Sequence, residues 1–155
     1  MVTEYVFEMG EPATPDEVAG VFARAAVAQG LAEDGVRFNR PGAVLRSGVL
    51  VSVAGSTPLP FPDPVEEEFG FAPAVHVSFR FDRVTDERPQ EQDMVRLVVA
   101  VLAALSGDAL LTYAGELPWL LRRNGRLTIS ERGDIWTPDL LVLLPAHDRA
   151  PLPTF

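Results

Sequence analysis

The sequence contains no cysteine and no lysine, and its only histidines are His76 and His147. The absence of cysteine excludes disulfides, iron–sulfur clusters, cysteine nucleophiles and Cys-ligated zinc. A metal site built from histidines needs at least two that converge, and these two are far apart in sequence without H-x-x-x-H or H-x-H spacing. We therefore expect no metal and no cofactor, and we interpret His76 as a solvated strand residue.

Catalytic and nucleotide-binding motifs are also missing. The sequence has no G-x-S-x-G nucleophile motif, no G-x-x-x-x-G-K-[ST] phosphate loop and no G-x-G-x-x-G fingerprint. Acidic residues are so abundant that a pair of carboxylates does not by itself indicate a hydrolase. We predict a protein that is not an enzyme. The alternative is a small-ligand-binding or hydrolytic α+β domain.

Long apolar runs are absent as well. The first six residues carry an acid, Glu4, where a signal peptide has basic residues, and no apolar stretch follows them. The most apolar stretch, residues 94–105, is too short to span a bilayer and contains Arg96. These features predict a cytoplasmic protein that does not insert into a membrane.

The sequence carries an excess of negative charge. All 13 basic residues are arginine, and with 22 acidic residues the formal net charge is −9. Residues 63–93 hold most of it, with nine acids against Arg80, Arg83 and Arg88. Such a charge repels nucleic acid and would attract a basic protein partner. The alternative is that the acidity only keeps the protein soluble.

Length and composition predict one globular domain. The chain has 155 residues, of which 47% are hydrophobic, and a domain of this size can bury a sizeable core. We place this domain at residues 1–145 and predict that residues 146–155 form a loose Pro-rich tail. The sequence does not fix the oligomeric state, and a homo-oligomeric structural domain is a third hypothesis.

Local signals predict the fold class. Thr14, Pro15 and Glu17 form a helix start with a capping box, and a second main helix is predicted from about residue 89 to residue 105. Strands are predicted at 3–9, 44–53, 75–82, 109–114, 119–123 and 126–130. Ser47-Gly48 is a candidate bend within the second, and Asn124-Gly125 joins the last two. Residues 137–144 fit either a short helix or a buried strand. The order β-α-β-β-α-β-β-β predicts an α+β two-layer sandwich, with a mainly antiparallel sheet and two main helices on one face.

Two groups of charged residues are candidates for binding a partner. The acidic group could attract a basic partner, although acids near a helix N-terminus are also favourable for the helix itself. The arginine group surrounds the predicted hairpin turn and could grip carboxylates of a partner or of the protein itself. The acidic group is Glu66, Glu67, Glu68, Asp86 and Glu87, and the arginine group is Arg122, Arg123 and Arg126.

The sequence resembles the Sit-type immunity protein family, whose named members neutralise polymorphic lipoprotein toxins passed between kin bacteria. The resemblance spans residues 4–144, and its motifs are structural. They are the runs Phe69–Pro73, Gln92–Leu97, Asp108–Leu111, Trp119–Leu127, Ser130–Arg132 and Asp134–Pro138. The resemblance implies a cytoplasmic protein without enzymatic activity that binds and blocks a cognate toxin. It assigns no binding residues.

Overall fold

The computed structural model describes residues 3–155, so Met1 and Val2 of the predicted domain lie outside the described residues. Four helices are present in this part of the chain: α1 (Pro15–Ala28), α2 (Pro64–Phe69), α3 (Glu87–Ala104) and α4 (Pro138–Leu141). The strands are β1 (Glu4–Gly10), β2 (Ala43–Val44), β3 (Leu50–Gly55), β4 (Pro73–Arg80), β5 (Ala109–Tyr113), β6 (Leu117–Arg123), β7 (Arg126–Ser130) and β8 (Asp148–Ala150).

All eight strands form one sheet in the order β2-β3-β4-β1-β5-β6-β7-β8. Neighbouring strands are antiparallel from β2 to β7, and only the β7–β8 pair is parallel. The predicted α+β class with a mainly antiparallel sheet is therefore confirmed.

One face of the sheet carries the core. The register places Phe7 of β1 beside Val77 of β4 and Leu111 of β5, and all three side chains are fully buried. Phe22 of α1 and Leu97 of α3 belong to the same buried cluster. We call this side the helical face, because both main helices pack on it, as the sequence predicts.

The other face carries polar positions, because successive side chains of a strand point to opposite sides. Glu8 is the register partner of His76 on β4, and Val6 is the partner of Ser78. These four residues are neither fully buried nor fully exposed. We call this side, defined by these residues, the open face. Neither main helix covers it.

Local start and turn signals are found where the sequence predicts them. The Thr14 hydroxyl accepts a hydrogen bond from the Glu17 amide at 3.2 Å, and the Glu17 carboxylate accepts one from the Thr14 amide at 3.2 Å. This reciprocal pair is the predicted capping box. At the hairpin, Asn124 and Gly125 have φ angles of 51° and 79°, the left-handed conformation that a type I′ turn requires.

Several elements differ from the prediction. The extended segment predicted at 44–53 does bend at Gly48, whose φ is 106°, but the bend is a turn that divides the segment into β2 and β3. Helix α3 begins at Glu87, two residues before the predicted start, and α4 resolves the open choice at 137–144 in favour of a short helix. The sequence did not predict α2. Its start is nevertheless regular, since Asp63 accepts a hydrogen bond from the Val65 amide and Pro64 occupies the first turn.

The last ten residues are not the loose tail that the sequence predicts. Residues 148–150 form β8, in which Asp148 is the register partner of Thr128. The Arg126 and Asp148 side chains meet at 2.6 Å, and the Phe155 amide donates to the Glu116 carbonyl at 3.2 Å. A three-residue strand is too short to show alternation, so the sequence pattern gave no sign of it.

Candidate partner-binding surface

The acidic residues of α2 border the open face. Val65 and Phe69 form a small buried cluster with Leu110 of β5. Leu110 is the register partner of Glu8, so this cluster lies on the open face. The carboxylates of α2, which belong to Glu66, Glu67 and Glu68, are exposed. The short helix therefore presents three acids to solvent along one border of the open face.

Asp86 and Glu87 lie elsewhere. Asp86 caps α3 by accepting a hydrogen bond from the Arg88 amide at 3.2 Å, and Glu87 accepts one from the Thr3 hydroxyl at 3.3 Å. Glu87 contacts Thr3, which precedes β1, whereas α2 packs near the level of Glu8. At 3.3 Å per residue, Thr3 and Glu8 are about 17 Å apart along the strand. Helix α3 also packs on the helical face. The structure therefore does not bring the predicted acidic group together.

Arg122 is buried, and its guanidinium is fully used within the protein. It is 9% exposed and donates to the carbonyls of Leu102, Leu105 and Gly107 at 2.6, 2.7 and 2.8 Å. These carbonyls lie at and after the C-terminus of α3, where the helix itself leaves acceptors without partners. Burial lowers the pKa of Arg122, and nearby Asp108 opposes that shift. Burial leaves little of Arg122 for a partner to contact, and its role in partner binding stays a prediction.

The other two hairpin arginines pair with acids of the same chain, which was the alternative interpretation. Arg123 forms an ion pair with Asp108, and its guanidinium carbon lies 5.9 Å from the centre of the Phe71 ring. Arg126 pairs with Asp148. These contacts connect the hairpin to the neighbourhood of α2 and to β8, although the exposed Arg126–Asp148 pair contributes little to stability.

A groove opens between the open face and the segment that follows β3. Its volume is about 470 Å³, and its lining includes polar and apolar side chains. Glu8 and His76 contribute from the sheet, Asp63 and Leu59 from the segment before α2, and Phe155 from the end of the described chain. The Phe155 ring also packs edge-on against Phe69, with 5.6 Å between centroids.

His76 and Glu8 form a pair at the groove. His76 Nδ1 lies 3.9 Å from Glu8 Oε2, which is longer than a hydrogen bond but close enough for an ion pair when His76 is protonated. Glu8 raises the pKa of His76, partial burial of the imidazole lowers it, and Glu4 adds to the rise. The contribution of this pair to stability is present below the unfolded pKa of histidine and is lost as the pH rises through the folded value.

His76 lies on the polar face of its strand as the sequence predicts, with 45% of its side chain exposed, and it also faces Glu8. The strand pattern placed Glu8 and His76 on polar positions of two strands, but only the β1–β4 register shows that they face each other. Among residues 3–155, no group of three or more His, Asp or Glu side chains is placed to hold a metal ion. Within the same residues, no helix has the length and apolar character needed to cross a membrane.

Replacing Glu91 with Gln is expected to stabilise the protein at pH 7. Burial raises the pKa of the Glu91 carboxyl, and the charges of Glu87 and Asp139 raise it further. Because the pKa of Glu91 is higher in the folded state than in the unfolded state, ionising this carboxyl destabilises the fold. That destabilisation is absent at acid pH, and it appears as the pH rises through the folded pKa. For this partly exposed group we expect a gain of about 0.5 kcal/mol.

Thermal melts of the wild type and Glu91→Gln at pH 7 and pH 3.5 measure this gain. The two proteins should differ at pH 7 and converge at pH 3.5, where the wild-type carboxyl is protonated. Equal melting temperatures at pH 7 would show that the carboxylate is not penalised in the folded protein.

Comparison with known proteins gives one match. A family model described as SitI3-like matches residues 3–140. No curated protein and no solved structure matches the chain. The match covers nearly all of the sheet and both main helices, and it confirms the resemblance to the Sit-type immunity proteins. The chain therefore belongs to the SitI3-like family.

Proposed function

We propose that this protein is a non-catalytic immunity protein that binds a cognate toxin in the cytoplasm and blocks it. The observation that carries the proposal is the SitI3-like match over residues 3–140. The architecture supports it, because one face of the sheet is free of the main helices and bears a groove, while the other is used for the core. The net charge of −9 favours a basic partner over nucleic acid.

Co-expression with candidate Sit toxins from the same genome tests this function and identifies the cognate one. We expect that cells producing the toxin survive when this chain is also produced, and that the two purified proteins form a complex. A non-cognate Sit toxin is the specificity control, and it should kill the cells whether or not this chain is present. The proposal would be refuted if this chain does not reduce killing by any of these toxins and the purified proteins form no complex.

A hydrolytic or small-ligand function is the second candidate, and the His76–Glu8 pair in the groove is the observation that favours it. A histidine beside a carboxylate can act as a general base. However, the hydrogen bonds found among residues 3–155 include none between His76 and a hydroxyl that could serve as nucleophile. Hydrolysis of a simple ester by purified protein, lost in His76→Gln, would favour this candidate over the immunity function.

A further inference from the structure

We infer that the groove beside the proline rim, defined as residues 58–64, is the docking surface for the toxin, and that it takes an apolar protein patch framed by arginine or lysine side chains. This inference rests on the proposed function and adds the place and the chemistry of the contact. It is carried by the distribution of exposed apolar side chains and by the charges around them.

Exposed apolar residues concentrate at this groove. Six large hydrophobic side chains are exposed among residues 3–155. Leu59 and Phe155 line the groove, and Phe61 lines an adjoining depression together with Leu59. Their exposed fractions are 43% for Leu59, 59% for Phe61 and 43% for Phe155. The other three, Val44, Val84 and Val142, lie on separate elements. Half of the exposed apolar set therefore surrounds one concave site, as expected for a binding surface.

The proline rim keeps Leu59 and Phe61 outside regular structure. Residues 58–64 include four prolines, which prevent the segment from joining the sheet or extending a helix into the core. Prolines also restrict the backbone before binding, so less conformational entropy is lost when a partner orders the segment. Phe61, as an exposed aromatic side chain on such a segment, has the properties of an interface anchor.

Acidic groups surround this apolar centre. Glu66, Glu67 and Glu68 follow the rim on α2 and are exposed. Asp63 lines the groove beside Leu59, and the Glu8 side chain, 17% exposed, lies at the sheet side. Two basic side chains, Arg40 and His76, balance Glu8 and Asp63 in the groove lining, so the acidic excess comes from the three exposed glutamates of α2 beside it. An apolar centre with an acidic border is complementary to an apolar centre with a basic border.

The same charges argue against a second copy of this chain as the occupant. In a two-fold dimer the same acid-bordered patch lies on both sides of the interface, so the three α2 glutamates of each copy would add to the negative charge of one contact. Like charges placed opposite one another at an interface cost several kcal/mol. A basic surface on a different protein removes this repulsion, and the proposed partner of an immunity protein is its toxin.

The apolar part of the inference is tested with Leu59→Ser/Phe61→Ser. We expect this variant to bind the purified cognate toxin about 100-fold more weakly, because interface anchors of this kind carry a large share of the affinity. Its melting temperature should be unchanged, since both side chains are exposed. The matched control is Val84→Ser/Val142→Ser, which removes two exposed apolar side chains elsewhere and should bind like the wild type.

The charged part is tested with the triple variant Glu66→Gln/Glu67→Gln/Glu68→Gln. We expect association about tenfold slower at low salt and a weaker salt dependence, because the acids steer the basic partner. A control with the same change in net charge replaces the exposed Glu33, Asp34 and Glu131 with their amides. It should associate nearly as fast as the wild type.

The outcomes separate this inference from the proposed function. If the wild type binds the toxin and both groove variants bind equally well, the docking surface lies elsewhere and the inference is overturned, while the immunity function stands. If the wild type binds no toxin, both are overturned. If sedimentation shows a dimer of this chain that Leu59→Ser/Phe61→Ser abolishes, the occupant is a second copy, which also overturns the inference.

Discussion

Replacing Arg122 with Met is expected to lower the free energy of unfolding by about 3 kcal/mol, because the carbonyls of Leu102, Leu105 and Gly107 lose their donor. Methionine fills similar volume without donating a hydrogen bond, so the change isolates the polar contribution. For a chain of this length, a loss of that size lowers the melting temperature by roughly 10 °C. Thermal and urea unfolding measure both quantities.

The geometry of the guanidinium makes Arg122→Lys a useful second variant. Lysine keeps the charge near the C-terminus of α3, which has no basic residue in its last turn, but it lacks the planar fork that reaches three carbonyls. We expect its stability to lie between those of the wild type and Arg122→Met. The control is Arg126→Met at the exposed hairpin tip, which should melt close to the wild type. If Arg122→Met leaves the melting temperature unchanged but weakens toxin binding, Arg122 contributes to the interface and not to the stability of the fold.

The contrast between Arg122 and its neighbours shows where the sequence stops being informative. Arg122, Arg123 and Arg126 look alike around the Asn124-Gly125 turn. The turn is local, and its two residues are enough to predict it. The burial of Arg122 depends on strand alternation together with the position of α3, which lies 20 residues earlier in sequence at Leu102. Only the assembled sheet shows which arginine reaches the helix.

The same distinction applies to the other elements. The α1 capping box and the alternation of β4 were predicted correctly, because each depends on residues within one or two turns or along one strand. Helix α2 was missed because three prolines precede it, and Pro64, which begins it, is read as the end of the proline-rich loop. Strand β8 was missed because it exists only by pairing with β7.

The candidate surface could be predicted only in part. The acids of α2 were identified from composition, and they do lie exposed beside the open face. The groove was not predicted from the sequence, since the pairing of Glu8 with His76 depends on the β1–β4 register. The exposure of Leu59 and Phe61 was not predictable either. Prolines exclude regular structure, but they do not say whether the intervening apolar side chains turn inward or outward.

Replacing Gln90 with Glu is expected to destabilise the protein at neutral pH by about 3 kcal/mol, in spite of the nearly identical shape. Gln90 is fully buried at the start of α3. Its carbonyl accepts from the Asp82 amide at 2.7 Å, and its amide group faces the Asp82 carbonyl at 3.0 Å, the Thr85 hydroxyl at 3.1 Å and the Asp86 carbonyl at 3.2 Å. An ionised carboxylate keeps the first contact but repels the two carbonyls.

The pH dependence distinguishes this repulsion from a packing effect. The carboxyl introduced by Gln90→Glu should have a raised pKa, so its proton stabilises the folded state, and the deficit relative to the wild type should shrink as the pH falls through that value. Gln90→Leu, which loses all the hydrogen bonds without adding charge, should be destabilised by about 2 kcal/mol at every pH. Gln92→Leu removes a single hydrogen bond, to Asp139, and should cost less. A pH-independent deficit for Gln90→Glu would mean that the loop before α3 rearranges to hydrate the carboxylate. In that case the hydrogen bonds of Gln90 would not be what holds residues 82–86, and α3 alone would fix the positions of Asp86 and Glu87.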